Sequence, residues 1–169
     1  MISIGKKLFV INGVAAAFLF ACFATSPVHA EDASKLAGTW KLVSWVNVDD
    51  ETKEEKKLYG EHPKGYLILL PSGRMMALLT AESRKTPQSD EERAAALKSM
   101  ISYPGKYRVE GNTFTTTVDA AWNEAWVGTG QKRTFMLEGD KLSIVSMSQP
   151  SVNFGGKMSH GVLVWEREK

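Results

Sequence analysis

Two places in this chain set glycine beside Asn or Asp between stretches that alternate apolar and polar residues: Gly111-Asn112 and Gly139-Asp140. Such a dipeptide between alternating runs closes a tight β-hairpin, so residues 105–110 and 113–121 predict one hairpin, and 131–138 and 141–147 another. A third turn, Pro71-Ser72-Gly73, joins 65–70 to 74–80. Those two runs are almost continuously apolar, which predicts cover on both faces. Ser89-Asp90-Glu91-Glu92 is a capping box that starts a helix running to about Ser102, with Ala94, Leu97 and Ile101 on one stripe. That helix is expected to cover the outside of the sheet or cross one end of it. With a first strand at about 37–48 and a last at 162–167, the count is about eight strands in meander order and one short helix. Eight antiparallel strands can close into a barrel with room for one small ligand, and closure removes the edges that invite aggregation.

The first strand follows Lys35-Leu36-Ala37 with Gly38-Thr39-Trp40-Lys41-Leu42-Val43-Ser44-Trp45-Val46. Simple alternation points Trp40, Leu42, Ser44 and Val46 one way and Thr39, Lys41, Val43 and Trp45 the other. Gly38 permits a tight bend, and the Trp40 indole can then close one end of a curled sheet. Gly38-Thr39-Trp40 resembles the opening motif of the lipocalin, or calycin, superfamily. Gly65-Tyr66-Leu67-Ile68 with Pro71-Ser72-Gly73-Arg74-Met75, Tyr103-x-Gly105-x-Tyr107-x-Val109, Trp126-Val127-Gly128-Thr129 and Leu163-Val164-Trp165-Glu166-Arg167 follow in order. Together they are similar to the bacterial and fungal lipocalin-like domain family. The resemblance implies an eight-stranded antiparallel barrel over 31–169, and a basic residue late in the chain, here Arg167, packed over Trp40 as a cation–π pair.

Residues 1–30 have the pattern of a secretory signal peptide: Lys6 and Lys7, an apolar run from Leu8 to Phe23, and a small-x-small cleavage site at Val28-His29-Ala30. The expected product is periplasmic or secreted, cleaved near Ala30. Two alternatives stand beside it: an uncleaved membrane anchor, and lipoprotein processing at Leu19-Phe20-Ala21-Cys22, which would bring membrane contact through a lipidated Cys22. Lys6 and Lys7 are the only charged residues of that segment, so the mature chain carries 19 basic and 19 acidic side chains. That balance excludes nucleic acid as a partner, which calls for a concentrated basic excess. Cys22 is the single cysteine, so maturation leaves no disulfide, thiol nucleophile or cysteine metal site.

Other chemistry is thin. His62 and His160 stand far apart with no helical pairing, so no metal site is expected. The chain has no Gly-x-Ser-x-Gly elbow and no phosphate-cradling glycine loop, and no cofactor is expected; Gly128-Thr129-Gly130 precedes a strand rather than a helix. Asp119 and Glu124 flank Trp122 and are candidate acid–base carboxylates. Period two on 131–138 turns Phe135 and Leu137 inward, and with them Gln131 and Arg133. An inward arginine needs a carboxylate, an anionic ligand or water as its partner. The same reasoning sends Tyr107, Val109, Phe114, Thr116 and Val118 inward, with Tyr66, Met76 and Leu78 beside them and Trp122 and Trp126 on the next loop. The candidate ligand-binding residues are therefore Arg133, Tyr107, Tyr66, Met76, Phe114, Phe135, Trp122 and Trp126. Gly38, Trp40 and Arg167 are the structural set.

Three functional classes remain open. The leading one is an exported barrel that binds a small, largely apolar or amphipathic molecule, with Arg133 and Tyr107 orienting a polar or anionic group. The second is an isomerase- or cyclase-type enzyme using Asp119, Glu124 or His160. The third is a structural or interaction protein with a filled barrel. The polar loop 148–160 is a candidate lid over one end. Oligomeric state and ligand identity are not encoded in any motif.

Overall fold

The computed structural model describes residues 34–169; residues 1–30, expected from the sequence to be a signal peptide, lie outside the described residues with Cys22 and His29. Ten strands follow one another: β1 (Gly38–Asp49), β2 (Glu55–Lys56), β3 (Lys64–Leu69), β4 (Arg74–Thr80), β5 (Met100–Glu110), β6 (Thr113–Val118), β7 (Gly130–Glu138), β8 (Lys141–Ser146), β9 (Gln149–Pro150) and β10 (Met158–Arg167). One helix, α1 (Asp90–Lys98), lies between β4 and β5. Eight of the strands form a closed antiparallel barrel in the order β1-β3-β4-β5-β6-β7-β8-β10, with β10 pairing back onto β1. The two-residue strands β2 and β9 extend β1 and β10 at one end.

The two ends differ in their connections. At one end the strands are joined by tight turns. Gly73, Gly111 and Gly139 take positive φ there, and in the two-residue turns the positive φ falls on the first central residue but not the second, the type II′ pattern. At the other end the connections are long: 50–63, 81–99 with α1, 119–129 and 147–157. Trp40 fills the tight-turn end and is fully buried. Leu42, Leu69, Met75, Tyr107, Val109 and Leu142 are buried in the same core.

Three sequence expectations are corrected. Alternation along β1 breaks: Leu42 faces Trp165 and Ser44 faces Val164, so Val43 is an extra, bulged residue. Past the bulge every side chain switches face, and Trp45 rather than Ser44 is buried. On β3 and β4, Leu67, Leu69, Met75, Ala77 and Leu79 point in, while Tyr66, Ile68, Met76 and Leu78 lie on the outer face, each more than a third exposed. An all-apolar run hides its phase, and neighbour pairing fixes it only in three dimensions. The helix does not cover that face. α1 ends at Lys98 because Met100 and Ile101 pair with Thr80 and Leu79, and none of its residues is buried. Its cap is made by Ser89, whose hydroxyl accepts the Glu92 N–H at 3.2 Å.

Candidate functional site

The interior divides into a packed floor and an open upper half. The floor is built around Trp40, whose Nε1 donates to the Leu36 carbonyl at 2.9 Å. Arg167 lies 4.1 Å over the Trp40 ring and donates to the carbonyls of Ala37 (2.8 Å) and Lys35 (2.7 Å). Gly38 explains itself here: its φ is +145°, and a Cβ would sit 2.6 Å from the Arg167 guanidinium. Tyr107 also belongs to the floor. Its hydroxyl donates to the Leu70 carbonyl at 3.0 Å, and burial raises its pKa.

Above the floor is a cavity of about 510 Å³ that opens between the long loops. Aliphatic and aromatic side chains form most of its wall: Leu67, Ala77, Leu79 and Ile144 with Trp45, Tyr59, Tyr103, Phe114, Trp126 and Trp165. Trp45 stacks on Tyr59 with ring centroids 4.0 Å apart, and Trp126 meets Tyr103 edge-on at 5.3 Å. Burial raises the pKa of Tyr59 and of Tyr103, keeping both phenols neutral inside the wall. Gln131 and Arg133 supply polar groups near the opening. Arg133 donates to the Lys132 carbonyl (2.8 Å) and to Gln131 Oε1 (3.2 Å), and its guanidinium carbon is 5.9 Å from the Trp126 ring centroid. The loop after β8 contributes Met147 to Asn153 to the rim. It is anchored by buried Phe154, with Lys56 Nζ 4.4 Å over that ring and bonded to the Asn153 carbonyl at 2.8 Å.

The residues proposed from the sequence are thus dispersed. Arg133, Phe114 and Trp126 line the cavity. Phe135 packs behind Phe114 at 6.3 Å, and Trp122 packs edge-on against Trp126 at 4.7 Å. Tyr66 and Met76 stand on the outside wall, and Tyr107 is committed to the floor, so Arg133 and Tyr107 do not share a subsite. Of the acid–base candidates, Asp119 pairs with Arg74 and Glu124 is exposed; neither lines the cavity. His160 does, with Nδ1 2.6 Å from Asp50 Oδ1. Among the described residues no group of three or more His, Cys, Asp or Glu could hold a metal ion. The sequence reading missed Trp45, Asn47, Tyr59, Gly161 and Trp165. The β1 bulge concealed the first two, and Tyr59 comes from the charged 50–63 loop, which carries no periodic signal.

A closed eight-stranded antiparallel barrel, sealed at one end by tryptophan and arginine and hollow at the other, defines the lipocalin-like class. The family model for the lipocalin-like domain matches residues 37–168, and the chain belongs to that family. Comparison with curated proteins finds none that matches.

Proposed function

We propose that this is an exported binding protein that carries a small, largely apolar molecule inside its barrel. The single observation that supports this reading is the aromatic and aliphatic cavity of about 510 Å³ above a sealed floor, within the size of ordinary ligand pockets. A filled barrel would have had no such space. Membership of the lipocalin-like domain family agrees with small-molecule binding. Export rests on the pattern of residues 1–30.

Native mass spectrometry of the protein purified gently from its own host, followed by solvent extraction, tests all of this together. A mass beginning at Glu31 with a stoichiometric apolar compound is expected. A mass carrying an acylated Cys22 or the whole signal segment would replace export in soluble form with membrane attachment. Absence of bound compound, together with no uptake of a fluorescent fatty acid, would overturn the carrier reading. One observation favours a second reading, an acid–base enzyme: His160 lines the cavity, with Asp50 Oδ1 2.6 Å from its Nδ1. Recovery of a chemically altered ligand after incubation, lost in His160→Gln, would put that reading first.

A further inference from the structure

The cavity wall carries a row of side chains that the floor lacks. Cross-strand pairing sets Phe114 opposite Arg133, Arg133 opposite Ser146, and Gly161 opposite Asn47. Ser146 Oγ accepts the Gly161 N–H at 2.8 Å, which joins the two halves into one line across β6, β7, β8, β10 and β1. Trp45 lies two residues below Asn47 on β1. Its Nε1, the Asn47 Nδ2 and the Nε1 of Trp165 are buried with no hydrogen-bond partner among the described residues. Leaving a buried donor unmade costs about 1–3 kcal/mol each; Trp165 stands four residues from Gly161, opposite Leu42, so it is the neighbouring Trp45 and Asn47 donors that call for a shared partner.

Gly161 stands at the centre of this row. Its φ is not in the left-handed region, so the backbone does not require glycine there. What glycine provides is space: a Cβ would lie 3.0 Å from Trp45 Nε1 and 3.6 Å from Ser146 Oγ. The sign of the missing partner follows from the chemistry. An indole N–H only donates, and a guanidinium only donates. Two acceptors on the row are already engaged, Ser146 Oγ by Gly161 and Gln131 Oε1 by Arg133, while Thr116 Oγ1, opposite Gln131, is buried without a partner and can either donate or accept.

We propose that Trp45 Nε1 and Asn47 Nδ2, across the bare Cα of Gly161, form a subsite for an oxygen acceptor, and that the ligand is an apolar molecule ending in a carbonyl or carboxylate. Arg133, on the same row, favours the ionised form. The inference rests on the small-molecule reading above and adds the chemistry of the head group.

The test is calorimetric titration of the mature protein with a straight-chain carboxylic acid, methyl ketone and primary alkylamine of equal length. The acid and ketone are expected to bind about tenfold tighter than the amine, the worth of one or two net hydrogen bonds. Gly161→Ala and Trp45→Phe should each cut the preference for acid and ketone over the amine about five- to tenfold. Arg133→Gln should weaken the acid alone. An amine that binds as tightly as the acid would remove the subsite and leave the apolar carrier standing. So would an acid unaffected by both variants. A ketone no better than the amine would assign the preference to Arg133 alone and overturn the role of the indole. If none of the three binds, the carrier reading and the subsite fall together.

Discussion

Trp40 and Trp45 sit five residues apart on one strand, both buried, and they do opposite things. Trp40 has every polar atom engaged: its N–H meets the Leu36 carbonyl, and Arg167 covers its face while tying down two further carbonyls. Trp45 is stacked on Tyr59, yet its N–H has no acceptor among the described residues. The lower tryptophan spends its hydrogen-bonding capacity on the fold. The upper one keeps that capacity unused among the described residues, and the proposed subsite would draw on it. On that proposal, stability and recognition are divided between the two ends of one strand, with the Val43 bulge at the boundary.

The largest expected effect follows from the floor. Trp40→Ala removes the plug of the closed end and should cost about 3–5 kcal/mol, enough to threaten the fold of a single small domain. Urea unfolding followed by circular dichroism measures it. A loss below about 1 kcal/mol would mean that the floor is not the anchor described.

A smaller change sharpens the contrast. Trp40→Phe keeps an aromatic plug but leaves the buried Leu36 carbonyl without its donor, at a cost of about 1–3 kcal/mol. Trp45→Phe deletes an N–H that has no partner among the described residues and trims a side chain already bordering open space. It should therefore be milder by at least about 1 kcal/mol in the same urea experiment. Equal losses would erase the distinction between the two tryptophans.

That distinction shows what could be read in advance. The hairpins at Gly111-Asn112 and Gly139-Asp140, the meander and the closed barrel were legible because turn chemistry and period two are local. On β7, alternation correctly gives Gln131 and Arg133 the same face, since no bulge interrupts it. On β1 one inserted residue reverses the phase, and the cavity tryptophan is assigned to the outside. On β3 and β4 both faces are apolar, so Tyr66 and Met76 carry no sign of which way they point. Their outer face stays exposed, because the helix expected to cover it leans on its own connecting loop, where Arg84 donates to the Ala96 carbonyl at 3.0 Å. Gly161 was illegible for another reason: its value is the absence of a side chain, and it matters only beside Asn47 and Trp45.

Acid should separate the two ends most gently. The open end is held partly by carboxylates. Asp49 accepts the N–H groups of Thr52 (2.8 Å) and Glu51 (2.9 Å), the bond from Thr52 being the largest influence that lowers its pKa; Lys157 adds to it. Asp50 is lowered first by the Ser148 hydroxyl and then by His160, with Lys53 nearby. A carboxyl held lower in the folded state than in the unfolded chain stabilises the fold fully above its ordinary value of 3.8 and loses that contribution as the pH falls below it. The floor is fastened mainly by N–H groups donating to backbone carbonyls rather than to carboxylates. Amide hydrogen exchange between pH 5 and pH 3 should therefore show protection falling first in the 50–57 and 147–158 segments, while Leu42 and Leu142 stay protected until global unfolding. In Asp49→Asn, whose side-chain carbonyl can still accept the two N–H groups, the 50–57 segment should lose most of this pH dependence. Simultaneous loss at both ends would mean that the barrel opens as one unit and that the mouth has no acid-sensitive latch of its own.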